Sequence, residues 1–398
     1  MDEIQLPKLA AWVTEAGLAG KNETSLLTGF CERAIAAGIP LARASVLIDT
    51  LHPIHEGSVF GWERDRDIAP RDYVRSLGSD GDERWRRSPF YRLLETGESF
   101  LRRRLTAATE AEFSVFPDLR SAGLTDYTAM INRFAAGGVI GNMDCVYSSW
   151  VTDAREGFCD ADLLGLQYLM PFLALAIKSA ALARISENLV ETYLGRDAGR
   201  RVLKGGITRG VADRIDAVLW FSDLRGFTRI TDTAPEHVIP LLDDYFDAIV
   251  SAIHERGGDV LKLIGDGVLA IFTAVDRSQA CHAALAAAKL AQQRVAVTNE
   301  RRFGEGVPTT DAYLGLHVGE VFYGNVGSKD RLDFTVVGPA VNEVSRIAAM
   351  CRSAEQPVLL SAAFVAAVED KKRFVSVGRY ALRGVGRPQE LFTIDPAA

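Results

Sequence analysis

Apolar residues at spacings of three and four predict a helix over Glu23 to Ala37, and short apolar runs predict strands at Ala44 to Asp49 and Ser58 to Trp62. Helical spacing returns at Phe90 to Glu95, and Tyr127 to Arg133 and Gly138 to Ser148 read as sheet strands. A long helix is expected from about Asp160, which suits the N-cap, with Asp162 adding acid to the first turn. Further along, Leu182, Ile185, Leu189 and Tyr193 make one apolar stripe, of a kind that pairs with another helix. Gly205, Gly206 and Gly210 then mark a boundary.

Beyond that boundary strand and helix signals alternate. Ala217 to Ser222 is a strand, and Pro235 to Arg256 a helix with proline at its start. Val260 to Ile264 and Val268 to Phe272 are short apolar runs joined through Gly265-Asp266-Gly267, the pattern of a tight hairpin. An Ala-rich helix covers Ser278 to Val297, strand pairs fill Tyr313 to Val326, and Phe334 to Val337 is a further strand. Pro339 to Cys351 is helical again. A strand at Val358 to Leu360, a helix to Glu369 and strands near Phe374 to Leu382 and Glu390 to Ile394 follow.

With 398 residues, 48% of them hydrophobic and 24% charged, the chain has the length of two or three globular domains. Its net charge of −7 argues against a general affinity for nucleic acid, which needs a basic surplus. Arg86, Arg87, Arg92 and Arg102 to Arg104 are a local exception, read as solvated helix faces with an anion-binding patch as the alternative. Five cysteines without a C-x-x-C imply a reducing compartment and buried free thiols. The first residues lack the order of a signal peptide, and Leu163 to Ala183 is interrupted by Gln167, Pro171 and Lys178. A cytoplasmic protein with no membrane span is therefore expected.

The chemistry gathers around two aspartates. Asp223 ends an apolar run in Val218-Leu-Trp-Phe-Ser-Asp-Leu-Arg-Gly-Phe-Thr228, and Asp266 sits 43 residues on at the hairpin tip. A fold that pairs these strands brings both carboxylates within reach of one or two Mg²⁺ ions, which favour hard oxygen ligands plus phosphate. Aspartate is also a common turn residue for its own backbone hydrogen bonds. The loop Leu224-Arg-Gly-Phe-Thr228 has a glycine that lets backbone amides approach an anion, although the chain has no Walker loop and no strand-linked G-x-G-x-x-G. Pro339 opens a helix that sets Asn342 and Arg346 four apart on one face. An amide and a guanidinium so aligned can hold a ribose and a phosphoryl oxygen, or simply pair on a helix surface. In the first half, His52 and His55 are either a ligand pair or loop residues beside Pro53, and Trp62, Trp85 and Trp150 either line a pocket or fill a core.

Taken together, Phe221-Ser-Asp-Leu-Arg-Gly-Phe-Thr228, Lys262-Leu-Ile-Gly-Asp266 and Thr335-Val-Val-Gly-Pro-Ala-Val-Asn-Glu-Val-Ser-Arg346 resemble the three signature segments of class III adenylate and guanylate cyclases, over roughly Val211 to Ile394. The resemblance implies an α+β fold whose C-terminal cyclase domain (211–396) is ferredoxin-like, βαββαβ, preceded by a helical linker or transducer (186–210). Before it, the order of elements in 1–185 resembles a GAF-like α/β sensory domain, its signal unassigned between a small molecule and a protein. Carried over residue by residue, Asp223, Asp266 and the Leu224 carbonyl hold two Mg²⁺ or Mn²⁺ ions, and Gly226, Phe227 and Thr228 face the triphosphate. Lys262 and Thr335 read the base; Thr at that position marks the bacterial subgroup that shares it with bicarbonate-responsive cyclases. Asn342 orients the ribose, Arg346 stabilises the transition state, and Arg383 touches the triphosphate. The expected activity is conversion of ATP to 3′,5′-cyclic AMP and pyrophosphate in a head-to-tail homodimer with sites shared between subunits.

Base choice follows from hydrogen bonding, since a Lys donor and a Thr hydroxyl suit adenine N1 and N6, whereas guanine needs acceptors for N1–H and its 2-amine. Three alternatives stay open at this point. One is a guanylate cyclase, and another a non-catalytic cyclase-like module. The third is a diguanylate cyclase, whose hairpin motif Gly257-Gly258-Asp259 begins but Val260 and Leu261 break.

Overall fold

The structure, a computed structural model, describes residues 5–66, 68–74, 79–135, 140–141 and 143–395. The chain divides into two compact units, Met1–Leu189 and Val190–Ala398, so that the division falls inside one long helix.

In the first unit the elements are α1 (Gln5–Leu18), α2 (Glu23–Ala36), β1 (Arg43–Asp49), β2 (His55–Glu63), β3 (Arg71–Val74), α3 (Ser79–Arg86), α4 (Pro89–Thr96), β4 (Phe100–Arg104), α5 (Phe116–Ser121), β5 (Asp126–Arg133), β6 (Cys145–Thr152) and α6 (Asp160–Leu194). The strands form an antiparallel sheet in the order β3-β2-β1-β6-β5-β4. Alternation along each strand supplies two cores. Val46, Ile48 and Trp150 meet Val13, Phe30, Leu173 and Ile177 from α1, α2 and α6 on one face. Tyr127, Ile131 and Tyr147 meet Phe90, Leu93, Phe116 and Leu119 on the other.

Several expectations change here. The strand predicted from Gly138 starts at Cys145 instead, and positions 138, 139 and 142 lie outside the described residues. Arg102 to Arg104 belong to strand β4 rather than to a helix face. Arg102 binds the fully buried Asp126 at 2.8 Å, so neither a solvated face nor an anion patch describes it. Leu182, Ile185 and Leu189 pack against the unit's own core, which leaves Tyr193, 80% exposed, as the open part of the supposed pairing stripe. Although α6 is long and apolar enough to cross a membrane, its Leu166, Leu169, Leu173 and Ile177 face is buried in that same core. Cys159 is exposed, while the other four thiols are buried.

The first unit also places the candidate sensory residues. His52 and His55 stack with ring centroids 4.6 Å apart, and His52 Nδ1 accepts from the amides of Ile54 and His55. Trp150 and Trp62 belong to one core, whereas Trp85 packs edge-on against Tyr147 on the opposite face of the sheet, so the three share no pocket.

In the second unit the elements are α7 (Arg196–Leu203), β7 (Ala212–Leu224), α8 (Phe227–Thr233), α9 (Val238–Glu255), β8 (Asp259–Ile264), β9 (Gly267–Phe272), α10 (Arg277–Gly304), β10 (Ala312–Gly327), β11 (Leu332–Val337), α11 (Pro339–Ala354), β12 (Val358–Ser361), α12 (Ala362–Ala367), β13 (Phe374–Tyr380) and β14 (Gln389–Ile394). The fold is mixed α/β, with strand order β13-β14-β12-β10-β7-β9-β8 and β11 paired to the far end of β10. The helix predicted from Pro235 begins with a 3₁₀ turn at Pro235–His237 and becomes α-helical at Val238. Tyr313 to Val326, expected as strand pairs, lies within a single strand of 16 residues, long enough to pair with β7 on one side and with β12 and then β11 on the other.

Parity along β7 and β10 builds the layers. Val218, Trp220, Leu314, Leu316 and Val318 face α9, α10 and α12. Ala217, Leu219 and Val321 face α11 and β11 across a second, smaller core. Gly257 and Gly258 make the turn from α9 into β8. A side chain at 258 would strike Phe272 and Ile253, so the Gly-Gly-Asp stretch is a packing requirement of this turn.

Candidate active site

Asp223 lies next to the end of β7, paired with Tyr313 of β10, and Asp266 occupies the two-residue turn between β8 and β9. Gly265 before it takes φ of +63°, a conformation that glycine adopts without strain. The strand order sets β9 beside β7, which brings the two turns together: the Leu224 amide donates to Asp266 Oδ2 at 3.1 Å. Asp223 Oδ1 is buried and has no hydrogen-bond partner. Burial first, and then the charge of Asp266, push the Asp223 carboxyl up to about 6. Two adjacent carboxylates, one with an orphaned buried oxygen, form a donor set that fits a hard divalent cation.

The loop after Asp223 is held from outside. Gly226 has φ of +70° and caps α8, a position that disfavours any other residue. Thr310 Oγ1 donates to the Arg225 carbonyl at 2.6 Å, and the Arg225 amide donates to the Asp311 carbonyl. Phe227 and Thr228 follow as the first residues of α8.

A second group of predicted residues gathers elsewhere in the unit. Asn342 and Arg346 line a cavity of about 500 Å³ together with Val336, Pro339, Glu343 and Gly384. Neither Asp223 nor Asp266 lines it. Gly384, the neighbour of Arg383, lies within van der Waals reach of the Arg346 guanidinium and lines the same cavity. The loop carrying Arg383 therefore borders the same cavity, and Arg383 itself is exposed.

Lys262 points from β8 to Asp333 Oδ2 at 2.6 Å, and both side chains are about two-fifths exposed. Hydrogen bonding from Lys262 holds the Asp333 carboxyl below the usual carboxylate range. Thr335 lies two residues further along β11, on the same side of the strand as Asp333 by the period of two. Sequence reasoning missed Asp333, although that spacing from Thr335 was available to find it. It also passed over Glu343, which shares the cavity with its neighbour Asn342.

Residues 211–395, just under half of the chain, match the family model of the adenylate and guanylate cyclase catalytic domain, and this segment is similar to class III cyclase domains. Adenylate cyclase 1 of Rhizobium meliloti is 29% identical over 206 residues, 51% of this chain and 31% of that protein. An adenylate cyclase of Anabaena cylindrica is 33% identical over 161 residues, 39% of this chain and 31% of its own length. The chain thus spans about a third of either relative. Among solved structures, the crystal structure of the guanylyl cyclase Cya2 is similar at 28% identity and a TM-score of 0.41, covering 46% of this chain and 93% of that one.

Proposed function

We propose that the chain is an adenylate cyclase, making 3′,5′-cyclic AMP and pyrophosphate from ATP in a cytoplasmic homodimer whose sites are shared between subunits. The observation that carries this reading is the Asp223–Asp266 pair, with its orphaned buried oxygen, beside a glycine turn stapled by Thr310. In this reading Asp223, Asp266 and the Leu224 carbonyl hold two Mg²⁺ or Mn²⁺ ions. When bound, such ions lower the pKa of the ribose 3′-hydroxyl and neutralise phosphate charge. Gly226, Phe227 and Thr228 lie along the triphosphate. Lys262 and Thr335 read the base, Asn342 orients the ribose, and Arg346 meets the charge growing on the α-phosphoryl group, helped by Arg383 on the leaving phosphates. The 3′-oxygen bonds to the α-phosphorus as the bond to the β-phosphate oxygen breaks.

Neither Asp223 nor Asp266 lines the Asn342–Arg346 cavity, which supports a site completed by a second copy of the chain. The core order β10-β7-β9-β8 supports a ferredoxin-like reading of the second unit, and the six-stranded sheet with helices on both faces supports a GAF-like sensory reading of the first. One observation favours a guanylate cyclase instead. Asp333, beside Lys262, supplies a carboxylate acceptor of the kind that guanine N1–H and its 2-amine require.

Incubating the full chain with ATP or GTP and Mg²⁺ or Mn²⁺, then separating the products, decides between these readings. The expected outcome is cyclic AMP in clear excess over cyclic GMP, and none from Asp223→Ala. Equal use of both nucleotides, or no cyclic product at all, contradicts the proposal.

A further inference from the structure

Helix α11, which carries Asn342 and Arg346, lies flush on strand β10. Two glycines make that approach possible: a Cβ at Gly315 would sit 2.7 Å from the Val344 carbonyl oxygen and the Ala348 amide, and one at Gly319 would sit 2.7 Å from Ala340 Cβ. Gly315 and Gly319 are four residues apart on a strand, so they share a face, and His317 stands between them on that face. Between two glycines that admit the helix, one large polar residue is retained.

His317 is 8% exposed and is engaged on both sides of its ring. Nδ1 lies 2.8 Å from Ser361 Oγ, which also caps α12 by accepting from the Phe364 amide. Nε2 lies 3.5 Å from Glu343 Oε2. A neutral imidazole carries its proton on one nitrogen. With Nε2 bare, a lone pair would face the carboxylate. With Nε2 protonated, an N–H faces it, and Nδ1 accepts from the Ser361 hydroxyl. Electrostatics select the second tautomer. The result is a chain of groups, Phe364 amide to Ser361 to His317 to Glu343, that runs from the α12 cap through the sheet to the residue next to Asn342 and less than one turn before Arg346.

We propose that His317 is a positioning residue for the reaction: through Glu343 it fixes the rotation of α11 about its axis, and with it the directions of Asn342 and Arg346. The inference rests on the cyclase reading of that cavity. Ala340, Val344, Ile347 and Cys351 seat the inner face of α11 by apolar packing, which is non-directional and places no polar restraint at the turn that carries Asn342 and Arg346. The His317–Glu343 contact, 3.5 Å long and electrostatic rather than a formed hydrogen bond, adds a polar restraint at the position where the reacting groups leave the helix.

The test uses the full chain with His317→Leu, which breaks the link, and His317→Gln, which keeps a donor near the place of Nε2. The Leu variant should lose on the order of 10- to 100-fold in kcat, the size of effect that misplaced reacting groups produce, with KM for ATP within about twofold; Gln should recover most of the loss. Adding Glu343→Ala to the Leu variant should lower kcat little further, because both changes break one link. Mixed dimers then locate the defect. His317→Leu mixed with Asp223→Ala should regain activity as the control pair Arg346→Ala with Asp223→Ala does, while His317→Leu mixed with Arg346→Ala should not. Wild-type kcat in the Leu variant, failure of Gln to rescue a folded protein, or recovery with Arg346→Ala would each overturn the inference. If the control pair restores nothing, the shared-site reading falls, and the Leu and Gln contrast in kcat still decides the role of His317. Should the Leu variant not fold, Glu343→Ala breaks the same link from its less buried end, and a fall in kcat is again required.

Discussion

Asp223 keeps a buried oxygen without a partner, next to a second carboxylate, and a folded protein tolerates that only where something else gains from it. Asp223→Asn removes the repelled charge at nearly constant shape. It is expected to abolish product formation while raising the melting temperature of metal-free protein by about 2–4 °C, the shift that roughly 1 kcal/mol gives a domain of this size. A fall in melting temperature would show that the carboxylate stabilises the fold and that the site is misread. At Lys262 the expected effect is small, because exposed ion pairs contribute about 0.2–1 kcal/mol. Asp333→Asn should raise KM for ATP no more than about fivefold by loosening Lys262, and should shift the ratio of cyclic AMP to cyclic GMP further toward cyclic AMP; an unchanged ratio in product analysis removes Asp333 from base choice. His317 gives a pH prediction with a definite sign. Burial pushes its imidazole down to about 4 from an unfolded value near 6.5, so the unfolded chain binds the extra proton first. Its contribution to stability is full above about pH 6.5 and is lost as pH falls toward 4. Thermal melts at pH 7 and pH 5 should differ less in His317→Gln than in the wild-type chain.

At the scale of elements, the contact of α11 with β10 is the most sensitive joint. Gly319→Ala puts a Cβ 2.7 Å from Ala340 Cβ, and overpacking of this kind costs about 1–3 kcal/mol. Urea denaturation should report that loss, and kcat should fall with it because the displaced helix carries Arg346. Most strands and helices of the second unit stand in the sequence as a period of two or of 3.6. The hairpin at Gly265-Asp266 and the helix after Gly338 were legible because turn chemistry and proline placement are local. Other features were not local. Arg102 to Arg104 looked like solvated charge because the partner, Asp126, lies 24 residues away from Arg102 and becomes buried only when β4 pairs with β5. The continuity of β10 was not legible, because only the fold shows that Gly315 and Gly319 seat a helix on one face of a single strand and that Gly324 passes the chain at Val211. The stripe on α6 was real, but periodicity cannot say whether a helix meets its own domain or another chain.

At the scale of the whole molecule, the two carboxylates and the Asn342–Arg346 cavity stand as separate groups in one chain, and the proposed function requires them to meet across two. A closed two-fold dimer has two equivalent sites, each taking its aspartates from one subunit and its helix α11 from the other. The direct measurement is cyclic AMP formation by Asp223→Ala and Arg346→Ala proteins, alone and mixed. Each alone should be nearly inactive. In an equal mixture with free exchange about half the dimers are hybrids and one of their two sites is intact, so activity should return to about a quarter of the wild-type level. Exchange of subunits with no recovery of activity would contradict the shared site.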